Sequence, residues 1–533
     1  MGAVTLLSRV TGLIRSSLLA TFFGAGSLGD AFLIAFRFPN LLRRLFAEGA
    51  MSAGFVPVFT ELLARGDAGA SARRYYARIL SFLATVLAGL TLMAMIAAPW
   101  VIDWYYQGAV STAEQREITA LLFRLMFPYL FFVSLAAILQ GVLNAHDEYL
   151  VSAATPIFLN LSMIGAAFLG LALASRGWLG GETWKAWALS LGVLFGGVLQ
   201  FAGQLGAVRR RGYAFTLDFH WKDPELRRFL GLMLPTVFSA GIYQLNTVLV
   251  DPFAVALGSG AVSALYYSVR LQELPLGVVV VSLATVSLTS FSRRAAAGDG
   301  AGFAEEVRRA LTAVGLWMVP IALASFFFGR EVIQLLYGYG KFDARAEQLT
   351  YECFIWHIAS IWPVGLARIL TNASFARQDT RSPLAISAVG LVVNIALAWT
   401  LTRWVPMGVG GIALAGGLSS LAMAGAYAWV LRRSGPGFFT GRFFAEHAKL
   451  LMAAAAAAAA LWALLWALPH LPHDGGPLPA FWSGKVRLGI EVALAAVVIA
   501  AVYLPVLALL RAEGLGEFLQ KIRRRLPRGL SSR

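Results

Sequence analysis

The chain has 533 residues, of which 58% are hydrophobic and 14% are charged, and its formal net charge is +16. Soluble domains carry about 25% charged residues, so the composition excludes a protein built mainly from soluble domains. The single cysteine, Cys353, excludes an intrachain disulfide and any metal site made of several cysteines.

Apolar runs of about 20 residues recur along the whole chain, and each is long enough to cross a hydrocarbon core as a helix. The pattern predicts an all-α integral membrane protein with about fourteen transmembrane helices. No cleavable signal peptide is expected, because the first apolar run contains two arginines and continues into the next. The predicted spans lie near residues 3–23, 31–62, 77–102, 118–143, 151–174, 184–207, 229–256, 264–291, 306–328, 348–374, 383–402, 408–431, 446–468 and 486–510.

The loops between these spans alternate sharply in charge. The positive-inside rule places the basic set in the cytoplasm, together with both termini. The net positive charge then reflects membrane topology, and no nucleic-acid partner is expected. The basic set comprises Arg65, Arg73, Arg74, Arg78, Arg209, Arg210, Arg211, Lys222, Arg227, Arg228, Arg293, Arg294, Arg308, Arg309, Arg377, Arg381, Arg432, Arg433, Arg442 and the C-terminal tail.

Two short sequence echoes indicate that the first twelve helices form two pseudo-symmetric sets of six. One echo aligns Ile138-Leu139, Ala145 and Glu148 with Ile369-Leu370, Ala376 and Asp379; the other aligns Asp30 and Arg37 with Ser263 and Arg270. Repeated halves are common in secondary transporters, with the substrate site at the repeat interface. The predicted divisions are an N-lobe at 1–208, a cytoplasmic linker at 209–228, a C-lobe at 229–432, helices 13 and 14 at 433–511, and a basic cytoplasmic tail at 512–533.

Motifs of soluble enzymes are missing from the sequence, which has neither the ATP-binding loop G-x-x-x-x-G-K-[ST] nor the zinc motif H-E-x-x-H. His357 lies inside a predicted span, where a lone histidine is more often a hydrogen-bonded packing residue. The glycine-rich stretch 408–417 favours close helix packing over a phosphate loop. These features predict a protein that is not an enzyme and needs no cofactor.

Arginines inside the apolar runs are the most informative residues. A charge at membrane depth costs about 2.5–3.5 kcal/mol on insertion scales, so these side chains should face a polar cavity suited to an anion. Arg9 and Arg15 lie in the first run, Arg37, Arg43 and Arg44 in the second, and Arg270 in a later one. Pro39 is expected to break the helix between Arg37 and Arg44.

A structural role for these arginines is the alternative, through ion pairs with Asp30, Glu48 or Glu273 or through snorkelling to the interface. Arg270 and Glu273 are three residues apart and can touch on a helix. The alternative carries most weight for Arg37 and Arg44. It does not account for the whole set, because the arginines outnumber those carboxylates.

Asp251, Asn394 and Asp379 suggest a second kind of site. A carboxylate inside a span, near amides, hydroxyls and a proline-freed carbonyl, could bind a coupling Na⁺ or H⁺. The competing interpretation is a buried aspartate whose hydrogen bonds are satisfied by neighbouring helices. Both interpretations remain open for Asp251.

Several motifs, in the same order along residues 5–390, resemble those of the MurJ/MviN family of bacterial lipid II flippases. The block that begins at Pro39 is the most specific of them. The motifs are Ser8-Arg9-Val10-Thr11-Gly12-Leu13-Ile14-Arg15, Asp30-Ala31-Phe32, Pro39-Asn40-Leu41-Leu42-Arg43-Arg44-Leu45-Phe46-Ala47-Glu48-Gly49-Ala50, Tyr266-Tyr267, Glu273-Leu274-Pro275 and Ala376-Arg377-Gln378-Asp379-Thr380-Arg381-Ser382-Pro383.

The resemblance implies a fourteen-helix fold of the multidrug/oligosaccharidyl-lipid/polysaccharide exporter superfamily, in the bacterial inner membrane. It also implies that the chain flips lipid II to the periplasmic leaflet, with the lipid tail in a groove beside helices 13 and 14. We expect alternating access between the two sets of six helices, with the membrane potential drawing the empty, cationic cavity back toward the cytoplasm. Cavity arginines would bind its diphosphate. The residues that the resemblance assigns to the substrate are Arg9, Arg15, Arg43, Arg270, Asp30, Asn40, Glu48 and Glu273.

The chain departs from the family pattern at Ser16, where some relatives carry an acidic residue, and not all relatives keep an aspartate at the position of Asp251. Three other functions compete with lipid II flipping. The chain could flip another undecaprenyl-diphosphate-linked glycan, or act as a non-transporting scaffold for cell-wall synthesis proteins. A membrane enzyme acting on prenyl diphosphates would need a carboxylate cluster for Mg²⁺, and the sequence has no such Asp-rich motif.

Overall fold

The computed structural model describes residues 2–46, 51–65, 67, 69–107, 111–214, 216–433, 437, 439–467 and 480–516. Within these ranges the chain forms α-helices and no strand. They are α1 (Gly2–Phe23), α2 (Ser27–Arg43), α3 (Met51–Leu63), α4 (Ala70–Tyr105), α5 (Ala113–Met126), α6 (Tyr129–Ala145), α7 (Tyr149–Ser175), α8 (Trp184–Arg210), α9 (Pro224–Ala256), α10 (Ala261–Pro275), α11 (Val281–Ala296), α12 (Gly300–Tyr337), α13 (Ala344–Ala359), α14 (Ile361–Ala376), α15 (Arg381–Arg403), α16 (Gly408–Arg433), α17 (Gly441–Ala467) and α18 (Ala480–Leu509).

Two compact units make up the chain. The first unit comprises Met1–Tyr266 and Tyr339–Ala346, and the second comprises Tyr267–Gly338 and Glu347–Arg533. Helix α10 begins in the first unit and ends in the second. The lobe and linker boundaries drawn from the sequence remain predictions.

The apolar helices confirm an all-α, multi-pass membrane protein. Within the described residues, ten helical segments are long and apolar enough to cross a membrane, and α13 and α14, bent by 47° at their junction, would make an eleventh. Each of the fourteen predicted spans corresponds to one of the helices or to a broken pair of them. The count of fourteen membrane crossings remains a prediction.

The expected break at Pro39 is wrong. Pro39 is buried inside α2, which continues to Arg43 before a short π-helical turn. Proline removes one backbone hydrogen bond, and neighbouring helices compensate for such losses in membrane proteins. A π-helical turn, Leu276–Val280, also follows Pro275 between α10 and α11.

The sequence echo between α6 and α14 is repeated in their backbone geometry. Each helix ends on an alanine and is followed, two residues later, by a non-glycine residue in the left-handed region, Asp147 with φ 61° and Gln378 with φ 60°. The next amide then turns back to the helix: Glu148 N donates to the Leu143 carbonyl at 2.9 Å. Asp379 N donates in the same way to the Ser374 carbonyl at 3.1 Å. Such a left-handed residue ends a helix by satisfying its last carbonyls.

The alanine-rich helix α17 packs by one face into the second unit. Leu450, Ala453, Ala457 and Leu461 recur every three or four residues and are buried in a cluster with Ile499 of α18. This spacing places them on one side of the helix. The small alanine side chains allow the two backbones to approach closely.

Candidate functional site

Arg15 lies on α1 in the first unit and is the most buried of the predicted substrate arginines, with 8% of its surface exposed. Its guanidinium donates through Nη1 to Asn160 Oδ1 at 3.0 Å and through Nη2 to the Tyr266 hydroxyl at 3.4 Å. Its buried Nε has no hydrogen-bond partner among the described residues. Within the described residues, Arg15 forms no ion pair.

Asn160 on α7 holds this arrangement in place. The residue is 5% exposed, and its Nδ2 donates to Thr11 Oγ1 at 3.1 Å and to the Ser8 carbonyl at 3.2 Å. One side chain therefore joins α7 to α1 and orients the guanidinium of Arg15. Asn160 is not among the residues predicted from the sequence, although an asparagine inside an apolar span is a recognisable signal.

The electrostatic consequence is a buried positive charge held by neutral oxygens. A buried cation is ordinarily paired, because its desolvation is costly. At Arg15 an amide and a phenol take the place of a carboxylate, so the charge is hydrogen-bonded but not neutralised. Such a group is suited to an anion that supplies the missing charge.

Arg43 lies at the end of α2 in the same unit, partly exposed, and its Nε donates to Asn40 Oδ1 at 3.2 Å. Asn40 and Arg43 are one helical turn apart, so this contact follows from their spacing. Arg9 is also partly exposed, on α1, and both arginines have further interaction partners in the described part of the chain. Six residues separate Arg9 from Arg15, which turns their side chains to different faces of α1.

Arg270 belongs to the second unit and forms the predicted contact with Glu273. Nη1 of Arg270 lies 2.7 Å from Glu273 Oε2, and the two side chains are 28% and 44% exposed. An ion pair this exposed is partly screened by solvent and contributes little to stability. Its guanidinium remains accessible to a ligand.

Arg37 is the arginine with a structural role. Its Nε lies 2.6 Å from Asp251 Oδ2, and Tyr105 donates to the same carboxylate at 2.7 Å. The structural alternative offered an ion pair with Asp30, Glu48 or Glu273; Arg37 does form an ion pair, but its partner is Asp251. The three groups link α2, α4 and α9 within the first unit.

Asp30 lies in α2 and accepts three hydrogen bonds at the start of α10. The donors are Gly260 N at 2.6 Å, Ser263 N at 2.8 Å and the Ser263 hydroxyl at 2.7 Å. A carboxylate is favoured there because the first amides of a helix are unpaired and carry partial positive charge. The two residues that the second sequence echo aligned, Asp30 and Ser263, are therefore in direct contact.

The glycine at 260 makes this contact possible. Its φ is +92°, a backbone conformation that side chains disfavour. A Cβ on Gly260 would lie 2.3 Å from the carbonyl oxygen of Ala25. Only glycine permits the backbone before α10 to approach the turn between α1 and α2 this closely.

The remaining predicted residues lie apart from these groups. Glu48 falls outside the described residues. Asp379 caps the start of α15, accepting from Ser382 N at 2.9 Å, whereas Asn394 is buried further along the same helix. Fifteen residues of helix separate them by about 22 Å, so Asp251, Asp379 and Asn394 cannot all ligate one ion.

Within the described residues, no group of three or more His, Cys, Asp or Glu side chains could hold a metal ion. A coupling cation at Asp251 or at Asn394 alone remains a prediction. His357 is a packing residue in the second unit, as expected, with its Nδ1 2.6 Å from the Ser268 hydroxyl.

Comparison with known proteins gives the family. The family model described as Lipid II flippase MurJ matches residues 19–472. The chain belongs to the MurJ family. Relatives named probable lipid II flippase MurJ include one from Rhizobium tropici, 33% identical over 99% of this chain and 96% of that protein, and one from Vibrio cholerae, 34% identical over 88% of each.

Solved structures give the same fold. A lipid II flippase MurJ in an inward closed conformation matches with a TM-score of 0.73 and 22% identity, covering 94% of this chain and 98% of that one. An inward-facing multidrug resistance MATE family transporter of the MOP superfamily matches with a TM-score of 0.66 and 13% identity over 80% and 94% of the two chains. The predicted fold class is confirmed for this MurJ family member.

Proposed function

We propose that this chain flips lipid II from the cytoplasmic to the periplasmic leaflet of the inner membrane, without making or breaking a covalent bond. Membership of the MurJ family supports the substrate, since the relatives are named for lipid II flipping. The many apolar helices support a transporter embedded in the membrane. Both termini are assigned to the cytoplasm because the basic loops belong on that side.

The observation that carries the proposal is the uncompensated charge of Arg15. A diphosphate offers several anionic oxygens, and a guanidinium binds two of them with parallel hydrogen bonds. Nη1 and Nη2 of Arg15 now donate to neutral oxygens, which a phosphate oxygen can replace as a stronger acceptor. Arg9 and Arg43 in the same unit would add positive charge, and Arg270 remains a predicted fourth contact.

Alternating access is supported by the fold. Transporters that share it have been captured facing inward and facing outward. The empty carrier would move its positive charge within the membrane. Moving one charge across a potential of 100 mV changes the free energy by about 2.3 kcal/mol, and an inside-negative potential favours the inward-facing state. Arg37 already neutralises the Asp251 carboxylate, which disfavours a coupling cation at that residue.

The test measures headgroup exposure in cells depleted of their own lipid II flippase. An enzyme added outside the cells cleaves only lipid II that has reached the periplasmic side. Wild-type chain should restore cleavage, and Arg15→Ala should lower its rate roughly ten- to a hundred-fold, since charge-assisted hydrogen bonds are lost. Arg15→Lys should recover part of the rate, because the charge returns without the planar fork.

Arg116→Ala is the matched control. Arg116 is 39% exposed near the start of α5 and lies 3.7 Å from Asp103, so its loss should leave cleavage unchanged at equal membrane abundance. Wild-type rates in Arg15→Ala would contradict the role of the arginine. Absence of cleavage with correctly inserted wild type would instead contradict lipid II as the substrate.

A further inference from the structure

The segment between α8 and α9, residues 216–223, presents an apolar face that the protein leaves partly exposed. Leu217, Phe219 and Trp221 are 55%, 60% and 40% exposed. The backbone turns here, since Trp221 N donates to the Phe219 carbonyl at 2.9 Å, and the rings of Phe219 and Trp221 lie 6.0 Å apart. Three large exposed apolar side chains in so short a segment form a patch rather than scattered contacts.

Polar contacts fix the segment to α4, where the ring of Trp221 also packs edge-on against Phe82 with centroids 5.8 Å apart. Asp218 N donates to the buried Ser81 hydroxyl at 2.7 Å, and Arg78 Nε donates to Asp218 Oδ2 at 2.9 Å. A second nitrogen of Arg78 contacts the Asp223 carboxylate. These contacts fix the orientation of the segment, so its exposed apolar side chains cannot turn into the protein interior.

Positive charge without an ion-pair partner lies close to this segment along the chain. Arg209, Arg210, Lys222 and Arg227 are all exposed. None of them forms an ion pair in the described part of the chain. The neighbouring carboxylates are already paired, Asp218 and Asp223 with Arg78 and Glu225 with Arg65. The segment therefore combines exposed apolar side chains with exposed cationic neighbours in the sequence.

We propose that residues 216–223 form a membrane anchor that inserts Leu217, Phe219 and Trp221 among anionic phospholipid headgroups. Large apolar and aromatic side chains favour the headgroup boundary, where the ring of Trp221 meets both lipid and water. Lysine and arginine beside an anionic leaflet each contribute to binding. The segment follows directly on α8, which is long and apolar enough to span the membrane, so the leaflet surface lies within reach.

The experiment measures the depth of a nitroxide label in nanodiscs that contain the full-length, Cys353→Ala chain. A cysteine replaces Phe219 in one variant and Thr216 in another, which is exposed but is not one of the three apolar side chains. Collision with dissolved oxygen reports lipid contact, and collision with a water-soluble nickel chelate reports water contact. Discs of phosphatidylcholine with phosphatidylglycerol are compared with discs of phosphatidylcholine alone.

The expected result is a Phe219→Cys label that collides with oxygen and is shielded from nickel in anionic discs, while the Thr216→Cys label stays in water. Replacing Arg209, Arg210, Lys222 and Arg227 with glutamine should reduce the ratio of inserted to exposed label roughly five-fold for each charge. Added salt should reduce it in the wild-type background as well, through screening.

Equal water contact at both positions in every disc would overturn the proposal and point to a protein partner as the occupant of this face. Shielding that is the same with and without anionic lipid would overturn the headgroup part of it. The purified chain is measured without lipid II, so neither result depends on whether the chain flips that substrate.

Discussion

At the scale of single residues, the chain uses arginine in two ways that differ only in the partner. Arg37 faces a carboxylate at 2.6 Å and links three helices, whereas Arg15 faces an amide and a phenol. A carboxylate beside the first guanidinium cancels its charge, and the neutral oxygens beside the second preserve it. The functional contrast therefore lies in Asn160 as much as in Arg15.

Asn160→Asp tests this contrast directly. A carboxylate at the position of the Asn160 amide would form a buried ion pair with Arg15 but would lose the donor to the Ser8 carbonyl. Thermal stability in detergent should therefore fall less than in Asn160→Ala, while diphosphate binding is lost. We expect flipping to fall by about ten-fold or more, from the competing charge. The measurement pairs thermal unfolding with the external cleavage assay.

Asn160→Ala is the comparison, because it removes the hydrogen bonds to Thr11 and to Arg15 together. Both stability and flipping should decrease, by about 1–3 kcal/mol in the case of stability. Flipping at the wild-type rate in Asn160→Asp would show that the charge of Arg15 need not be free.

At the scale of elements, the ends of the helices carry information that their apolar interiors do not. Asp30 satisfies the first amides of α10 from a different helix, and the left-handed residues Asp147 and Gln378 end α6 and α14 in the same way. These contacts are polar and lie at helix ends, so they fix where the helices begin and end.

The 216–223 segment is attached to α4 partly by the ion pair between Arg78 and the Asp218 carboxylate, so its attachment is sensitive to pH. Burial raises the pKa of the Asp218 carboxyl, but hydrogen bonds from His220 and Arg78 outweigh burial and lower that pKa from 3.8 to about 2. The folded pKa is the lower one, so the stabilisation is complete above about pH 4 and is lost as the pH falls towards 2.

We therefore expect the difference in thermal stability between wild type and Asp218→Asn to be constant near neutral pH and to shrink as the pH falls from 4 to 2. Unfolding in detergent across that range measures it. A difference that is already absent at neutral pH would contradict the contribution of the Asp218 carboxylate.

At the scale of the whole molecule, hydropathy and loop charge decide how the chain enters the membrane. Ten described segments are apolar enough to span it, while the basic residues concentrate in alternate loops. From the positive-inside rule we expect an orientation with these loops in the cytoplasm.

Single cysteines test this orientation in intact cells. Trp178→Cys, in the exposed turn between α7 and α8, should react with a membrane-impermeant maleimide added outside. Arg74→Cys, near the start of α4, should react only after the membrane is permeabilised. The native thiol of Cys353 is buried and should contribute little background. Labelling of Arg74→Cys from outside would reverse the proposed topology.

The sequence alone determined the class of protein, the position of most helices and the contact between Arg270 and Glu273, since each depends on composition or on spacing within one helix. The contacts of Arg15, Arg37 and Asp30 were decided only by the tertiary structure. Asn160 lies 145 residues from Arg15, and Tyr105 and Asp251, which share a hydrogen bond, are 146 residues apart. Such partners are determined by how the helices pack. Hydropathy shows that a span contains a polar side chain, but it does not show which residue of another helix lies beside it.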